Sequence, residues 1–464
     1  MISSLNMRRS ALALAVLTLA GCSFIPTYER PAAPVAAEWS GVTPVAAATP
    51  AAEVAWADFV SDARLRELIG LAIKNNRDLR VATLNIEQVR AQYQIRRADQ
   101  FPTLNLAATG SRQSNADDSI TSLYTAGLAM SGWEIDFFGR IASLKEVALA
   151  QYLASEEARH AAQTSLVASV ASTWLSLQAS DELLALTQRT LATRQDSLRL
   201  TKLRFDNGAT SALDLRQAES LTAAAESALA QQQRQRALDL NALTLLVGQP
   251  LPAGLVDPGR DAVTTQLLFR DLPAGLPSDL LTRRADIRQA EQTLIAANAN
   301  IGAARAAFFP RISLTASVGS ASSELSGLFK GGSWGFSLAP QALLPIFDAG
   351  RNRAGLESAR VGREMAVAQY EKAIQTAFRE VADALAGRAT LGEQLRAQQA
   401  QATAEAERFR LAELRYRNGV ASFLDVLDAQ RSLFGTEQAL LQTRLAQQQN
   451  QVALYRALGG GWSE

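Results

Sequence analysis

The chain has 464 residues, 48% apolar but only 6% aromatic, with 46 basic against 45 acidic side chains. Charge this evenly balanced gives no reason to expect nucleic acid or another polyanion as partner. One histidine and one cysteine in the whole chain rule out an intramolecular disulfide and argue against histidine catalysis, thiol catalysis or a soft-metal site, so no catalytic residue, metal ligand or cofactor is expected.

Met7-Arg8-Arg9 forms a short basic region, Ala11 to Ala20 an apolar run, and Leu19-Ala20-Gly21 supplies small residues before Cys22, the only cysteine. This resembles a bacterial lipoprotein signal peptide, with residues 1–21 removed and a covalent lipid on Cys22. The alternative is a plain signal peptide with a chance cysteine. Acyl chains anchor firmly, because each buried CH₂ contributes ~0.8 kcal/mol. Ser23 stands where lipoproteins of the inner membrane often carry Asp, which points to the outer membrane. Removal of residues 1–21 takes Arg8 and Arg9 and no acid, leaving 44 basic against 45 acidic groups. Residues 22–58 read as a lipid-anchored Pro/Ala-rich tail. No later stretch is apolar for 18 residues, so any crossing of a membrane must use strands.

The rest of the chain repeats. Asp78-Leu79-Arg80 recurs as Asp286-Ile287-Arg288, Phe101-Pro102 as Phe309-Pro310, Gly139-Arg140 as Gly350-Arg351, and Asn207-Gly208 with Ser211 and Leu213-Asp214 as Asn418-Gly419 with Ser422 and Leu424-Asp425. The offset is 208 residues early and 211 later. So long a period signals duplication of a whole half rather than a solenoid. The first copy is placed at 59–249, a Pro-rich linker at 250–277, the second copy at 278–458 and a C-terminal tail at 459–464.

Each copy has the same grammar. A helix runs to Phe-Pro, where proline stops it. Residues 103–113 and 311–319 alternate apolar and polar, as strands do. Polar loops follow, Arg112 to Ser122 and Ser320 to Gly332, and second strands return through 123–135 and 334–346. Trp133, Trp334 and Phe336 near their ends resemble an interfacial aromatic girdle. The alternative is two ordinary hairpins over a core, but ~10 residues per strand is the length that crosses a bilayer at a tilt. Helices then run toward 204 and 415, and residues 140–207 contain no Gly or Pro. At ~1.5 Å per residue, 60 residues make a rod of ~90 Å that must pair along its length, and helices 211–247 and 422–458 are its partners. In the second copy Gly355, Gly362, Gly387 and Gly392 are expected to bend the rod. Asn207-Gly208 and Asn418-Gly419 end helices, and Ser211 with Asp214 and Ser422 with Asp425 fit the capping box.

Four strands cannot close a barrel, and open edges in lipid leave backbone groups unpaired. Two chains would give eight strands with a filled interior, whereas three give twelve and a lumen. A homotrimer is the smallest open answer.

The chain resembles the TolC-like outer membrane factors, in the lipoprotein branch of NodT-type efflux proteins. The resemblance is carried by Cys22 with Pro26 to Pro34, Leu276-Pro277-Ser278-Asp279-Leu280-Leu281 with Arg283-Arg284 and Asp286-Ile287-Arg288, Pro345-Ile346-Phe347-Asp348 with Gly350-Arg351, Leu427-Asp428-Ala429-Gln430-Arg431, and Ala453-Leu454-Tyr455-Arg456-Ala457-Leu458-Gly459-Gly460-Gly461-Trp462. Ala285 departs from it, since the family usually has proline there. The resemblance implies an α+β membrane protein: a trimeric 12-stranded β-barrel in the outer membrane, four strands per chain, continued by a long periplasmic α-helical barrel. It also implies passive export of small molecules with a periplasmic adaptor and an inner-membrane pump of the resistance-nodulation-division type. An exit for protein secretion and a non-conducting scaffold are the competing readings.

The family's closed periplasmic entrance is lined at positions matching Leu424, Asp428 and Arg431. The i, i+4, i+7 spacing places all three on one helix face. Leu424 would form an apolar constriction, with Asp428 restrained by Arg431 or a neighbouring chain. The plainer alternative is an exposed ion pair of ~0.5 kcal/mol or less. The hairpin tips, Asn207 and Gly208 in the first copy and Asn418, Gly419, Val420, Ala421 and Ser422 in the second, would contact the adaptor. Val420 is the one apolar residue there that a good turn does not need.

Overall fold

The computed structural model describes residues 23–36, 53–252, 254–256, 268–270, 272 and 277–462. The signal peptide and Cys22 lie outside the described residues. In chain order the elements are α1 (Trp56–Phe59), α2 (Ala63–Asn75), α3 (Arg77–Ala98), β1 (Asn105–Ser114), β2 (Ile120–Glu134), α4 (Arg140–Asp206), α5 (Ala212–Val247), α6 (Pro277–Arg283), α7 (Ala285–Ala306), β3 (Arg311–Ser322), a 3₁₀ turn at Leu325–Gly327, β4 (Trp334–Leu343), α8 (Arg351–Arg417) and α9 (Phe423–Ala457). They fall into two compact units, each built from segments of both copies.

The first unit holds residues 1–33, 84–156 and 289–372. Its centre is a four-stranded antiparallel sheet in the order β1-β2-β3-β4. Pro102 and Pro310 end the preceding helices, as a proline must. β2 and β3 are longer than expected, and β1 and β4 shorter. β1 runs through Ser114 and β2 starts at Ile120, so the first loop shrinks to five residues. It is held by Asn115, whose backbone N–H bonds Ser119 O at 2.8 Å and whose side chain bonds Ser119 and Thr121. The β2–β3 register slips between Met130 and Trp133. Gly132, with φ +62°, makes this bulge possible and donates to Thr315 Oγ1 at 3.1 Å. At the strand ends Glu134 receives Arg140 at 2.7 and 2.8 Å and Arg311 at 2.5 Å, tying β2, β3 and the start of α4 together.

Residues after Ser23 form an extended strap along α7. Phe24 stacks on Phe309 at 4.6 Å, Pro26 O accepts from Asn298 at 2.8 Å, and Arg30 grips Glu291 with bonds of 2.7 and 2.9 Å. Tyr28 donates to the same carboxylate at 3.0 Å. Burial, with the Glu291 charge beside it, pushes the Tyr28 phenol well above its usual range.

The second unit holds residues 34–83, 157–288 and 373–464. Trp174, Leu175, Tyr455, Phe59 and Phe269 are among its largest buried side chains, and Phe59 stacks on Tyr455 at 4.0 Å and on Phe269 at 5.0 Å. Leu65, Leu68, Ile69 and Ala72 make one buried face of α2 at i, i+3, i+4 and i+7 spacing. α5 ends at Gly248, in the left-handed conformation with φ +76°. A Cβ there would meet Asn75 O at 2.4 Å, so no other residue fits.

Several expectations are corrected. Each copy opens with two helices rather than one. Asn76 breaks the first because its side chain caps Leu79 N–H and donates to Leu246 O, both at 2.9 Å. Arg284 breaks the second, donating to Asp286, Glu380 and Ala457 O while almost wholly buried. The glycines of the second rod do not interrupt it, since α8 is one helix of 67 residues, the same length as α4. The segments read as tail and linker also contribute to the core. Val54 and Phe269 are buried, Phe269 bridges Val60, and Gly459 to Gly461 are buried against Tyr455 and Arg284.

Candidate functional site: a two-faced sheet and paired helical turns

The sheet registers sort its side chains into two faces. Leu106 faces Leu128, Leu128 faces Val318, and Val318 faces Phe336, so four apolar side chains cross all four strands in one row. The rows beside it carry Met130, Ala316 and Leu338, and Ala108 and Ala126. Leu106 and Phe336 are each 84% exposed, although burial would be worth ~1.5–3 kcal/mol per side chain. The opposite face carries Thr109, Thr125, Ser317, Ser337 and Gln341 with small residues between them. Thr109 and Thr125 bond across it at 2.6 Å. Gly127 faces Gly319 on this side, and a Cβ on either would meet the other's strand at about 2.3 Å. A globular sheet buries its apolar face and wets its polar one. Here the row Leu106, Leu128, Val318 and Phe336 is left exposed, although Met130 in the next row is buried. Large apolar side chains cluster at both ends of the strands as well: Trp334 at one, and Phe101, Phe308, Ile346 and Phe347 at the other, all exposed. β1 and β4 each have only one strand neighbour.

The helical turns are near copies of one another. Gly208 and Gly419 both sit at φ +70°. Asn207 and Asn418 each donate from the side chain to the carbonyl four residues back, at 2.7 Å. Both capping boxes are formed, Ser211 with Asp214 and Ser422 with Asp425. Hydrogen bonds from Ser211 and Thr210 hold the Asp214 carboxyl below the usual carboxylate range. Behind the turns, Ala218 and Leu221 of α5 pack with Phe423, Val426 and Leu427 of α9. Val420 is 67% exposed and Ala421 half-buried. Leu213, the first-copy counterpart of Leu424, is equally exposed at the other tip.

Leu424, Asp428 and Arg431 share an exposed face of α9, while Phe423, Val426, Leu427 and Gln430 turn inward. The partner of Asp428 within the chain is not Arg431 but Arg408 of α8. Arg408 also contacts Glu405 at 3.1 Å and Ser432 at 3.3 Å. Arg408 and Asp428 lie ten residues either side of Asn418, a symmetry about the turn that could have revealed the pair. Arg194, the charge beside Arg431, is buried and has no carboxylate partner among the described residues. It lies over Phe434 at 5.3 Å and donates to Leu221 O at 3.0 Å. Burial, and then Arg431, push its pKa down.

An edge-open sheet with an exposed apolar row, followed in each copy by a 67-residue helix, defines a protein of the outer-membrane channel class. The profile described as outer membrane efflux protein matches residues 68–249 and 276–460, and the chain belongs to that family. The probable efflux pump outer membrane protein TtgC of Pseudomonas putida is 48% identical over 99% of this chain and 97% of its own length. Outer membrane protein OprJ of Pseudomonas aeruginosa is 48% identical over 98% of this chain and 96% of its own. The open state of the Neisseria gonorrhoeae MtrE outer membrane channel superposes with a TM-score of 0.85 at 40% identity, covering 95% of this chain and 99% of that one. A membrane protein from Pseudomonas aeruginosa gives 0.88 at 48% identity, covering 95% and 98%. The protein is thus an outer-membrane channel component of an efflux system, with the TolC-like fold expected from its motifs. The secretion-exit and scaffold readings find no support among these relatives.

The capping boxes generate a local test. Asp214→Ala should weaken the first turn by ~1 kcal/mol at pH 7, speeding amide hydrogen exchange over residues 204–215 about fivefold. The folded carboxyl is held low, so its contribution is present above the ordinary carboxylate range of about 4 and fades as pH falls through it. The excess exchange of the variant should therefore disappear in strongly acidic buffer. An excess that is the same at all pH values would mean that the side chain does not act through its charge.

Proposed function

We propose that three copies of this chain close a twelve-stranded barrel in the outer membrane, apolar face to lipid and polar face to water. The long helices of the three copies line a continuing duct in the periplasm. The observation that supports this reading is the row Leu106, Leu128, Val318 and Phe336, apolar across the whole sheet and uncovered. The protein acts as a passive conduit. Small molecules are handed to it by a pump of the resistance-nodulation-division type in the inner membrane, through a periplasmic adaptor. Relatives named for toluene, solvent and antibiotic efflux support apolar small molecules as its cargo. Lipid on Cys22 adds an anchor to the outer membrane.

Leu424, Asp428 and Arg431 form the periplasmic gate. Three copies place three Asp428 carboxylates near one axis, where like charges repel unless each is held by a cation. Arg408 supplies that cation from the adjacent helix of the same hairpin. Asn207, Gly208 and Asn418 to Ser422 form the adaptor-facing tips, and the exposed side chain of Val420 is a ready apolar contact.

Two measurements test these assignments. In planar bilayers the mature protein should show small, rare openings, and Asp428→Ala should enlarge them severalfold. Equal large currents from both would keep the channel and remove Asp428 from the gate; no current from either, with trimers intact, would remove the channel. In cells, Val420→Asp should abolish drug export while leaving the amount of folded protein unchanged. Normal export by that variant would exclude Val420 from the docking contact.

A further inference from the structure

The two edges of the sheet are the one place where the described chain leaves a regular ladder unpaired. The internal duplication says how they are filled. Phe101-Pro102 and Phe309-Pro310, immediately before β1 and β3, are 208 residues apart. Within the hairpins Leu106 faces Leu128 and Leu314 faces Pro340. A 208-residue step from β1 to β3 therefore carries with it a 212-residue step from β2 to β4. Between the two hairpins lies the β2–β3 ladder, in which Leu128 faces Val318 and Ala129 faces Ser317. Stepping β2 forward to β4 and β3 back to β1 converts this junction within the chain into the junction between chains.

We infer that β4 pairs antiparallel with β1 of a second copy, with Pro340 opposite Gly110 and Gln341 opposite Thr109 of the partner subunit. This rests on the trimeric reading above and adds its register. Ala342 then meets the partner's Ala108, and Ala339 meets the partner's Ser111.

The seam keeps the two faces of the sheet continuous. The even-numbered residues of β1 and of β4 are the ones that lie on the apolar face: Leu106 and Ala108 in one, Phe336 and Leu338 in the other. The inferred register sets even numbers against even numbers. The apolar face therefore continues across the seam, and the polar face keeps Gln341 beside the partner's Thr109. A slip of one residue would turn one strand's apolar set into the lumen. This parity follows from the three ladders within the chain, which pair even-numbered with even-numbered residues ahead of the bulge; the particular register rests on the 208-residue step. A slip of two residues also preserves the faces, so the test has to separate the inferred register from its two-residue neighbours.

The double variant Gln341→Cys with Thr109→Cys does so. Cys22 is the only native cysteine, and lipidation removes its thiol. Directly opposed residues have Cα atoms ~4.5–5.5 Å apart, within disulfide range, whereas diagonal partners are ~7–8 Å apart. Oxidation of native outer membranes should give covalent dimers and trimers on non-reducing gels, collapsing to monomer on reduction. Their yield should exceed by about fivefold that of the slipped pairs Gln341→Cys with Ala107→Cys and Gln341→Cys with Ser111→Cys. Heat-modifiable mobility, checked for each variant, shows that its barrel has formed. Best linkage in a slipped pair would overturn the register. No linkage in any pair, in membranes where an amine-reactive cross-linker still traps trimers, would overturn the pairing of β4 with β1. Monomers alone with that cross-linker would instead overturn the trimeric reading on which the inference rests.

Discussion

An unpaired backbone group in hydrocarbon costs several kcal/mol, and everything distinctive about this chain answers to that cost. Among the described residues no helix is long and apolar enough to cross a membrane. The four strands are the elements long enough to cross, and they carry two unpaired edges. A soluble sheet of this size manages its edges with charge or cover. This one keeps an exposed apolar face up to both edges, with Leu106 on β1 and Phe336 on β4. Such a surface is stable only when lipid covers the face and further strands take the edges. Closure by identical copies solves the problem without new sequence.

The sheet also fixes where the helices begin. Glu134, at the last residue of β2, binds Arg140 at the first turn of α4 and Arg311 at the start of β3. Asp136 and Asp348 cap the starts of α4 and α8, accepting from the backbone of Ala142 at 2.7 Å and Asn352 at 2.9 Å. The strap reaches the same level of this unit, since Phe24 and Phe138 both stack on Phe309, immediately before β3. Strand ends, helix starts and strap thus meet around a few aromatic rings and one carboxylate.

Much of this was legible in the sequence because the signals are local. Alternation of Ile312, Leu314, Ala316 and Val318 needs no tertiary information, and neither do the Gly- and Pro-free helix of 140–206 or the capping boxes at Ser211 and Ser422. What was missed depends on residues distant in sequence. The break at Asn76 is set by a bond to Leu246 O, 170 residues away. The core role of Phe269 depends on Val60 and Phe59. Spacing along α9 offers Asp428 only Arg431 or a neighbouring chain, whereas its partner within the chain, Arg408, lies across the turn. The bulge at Gly132 hid for a different reason: a glycine in an alternating run reads as a small lumenal residue until the register is known. The family resemblance supplied the gate positions, and the backbone places them on one face without assigning them a role.

The central claim is that the two faces of this sheet meet lipid and water. Single cysteines at successive positions of β3, from Ser313 to Val318, test it most directly, in protein reconstituted into vesicles and treated with a membrane-impermeant maleimide. The account predicts an alternating pattern: Ser313, Thr315 and Ser317 label readily, whereas Leu314, Ala316 and Val318 stay protected and instead quench with a lipid-borne probe. Uniform labelling along the strand, or labelling strongest at Val318, would contradict it.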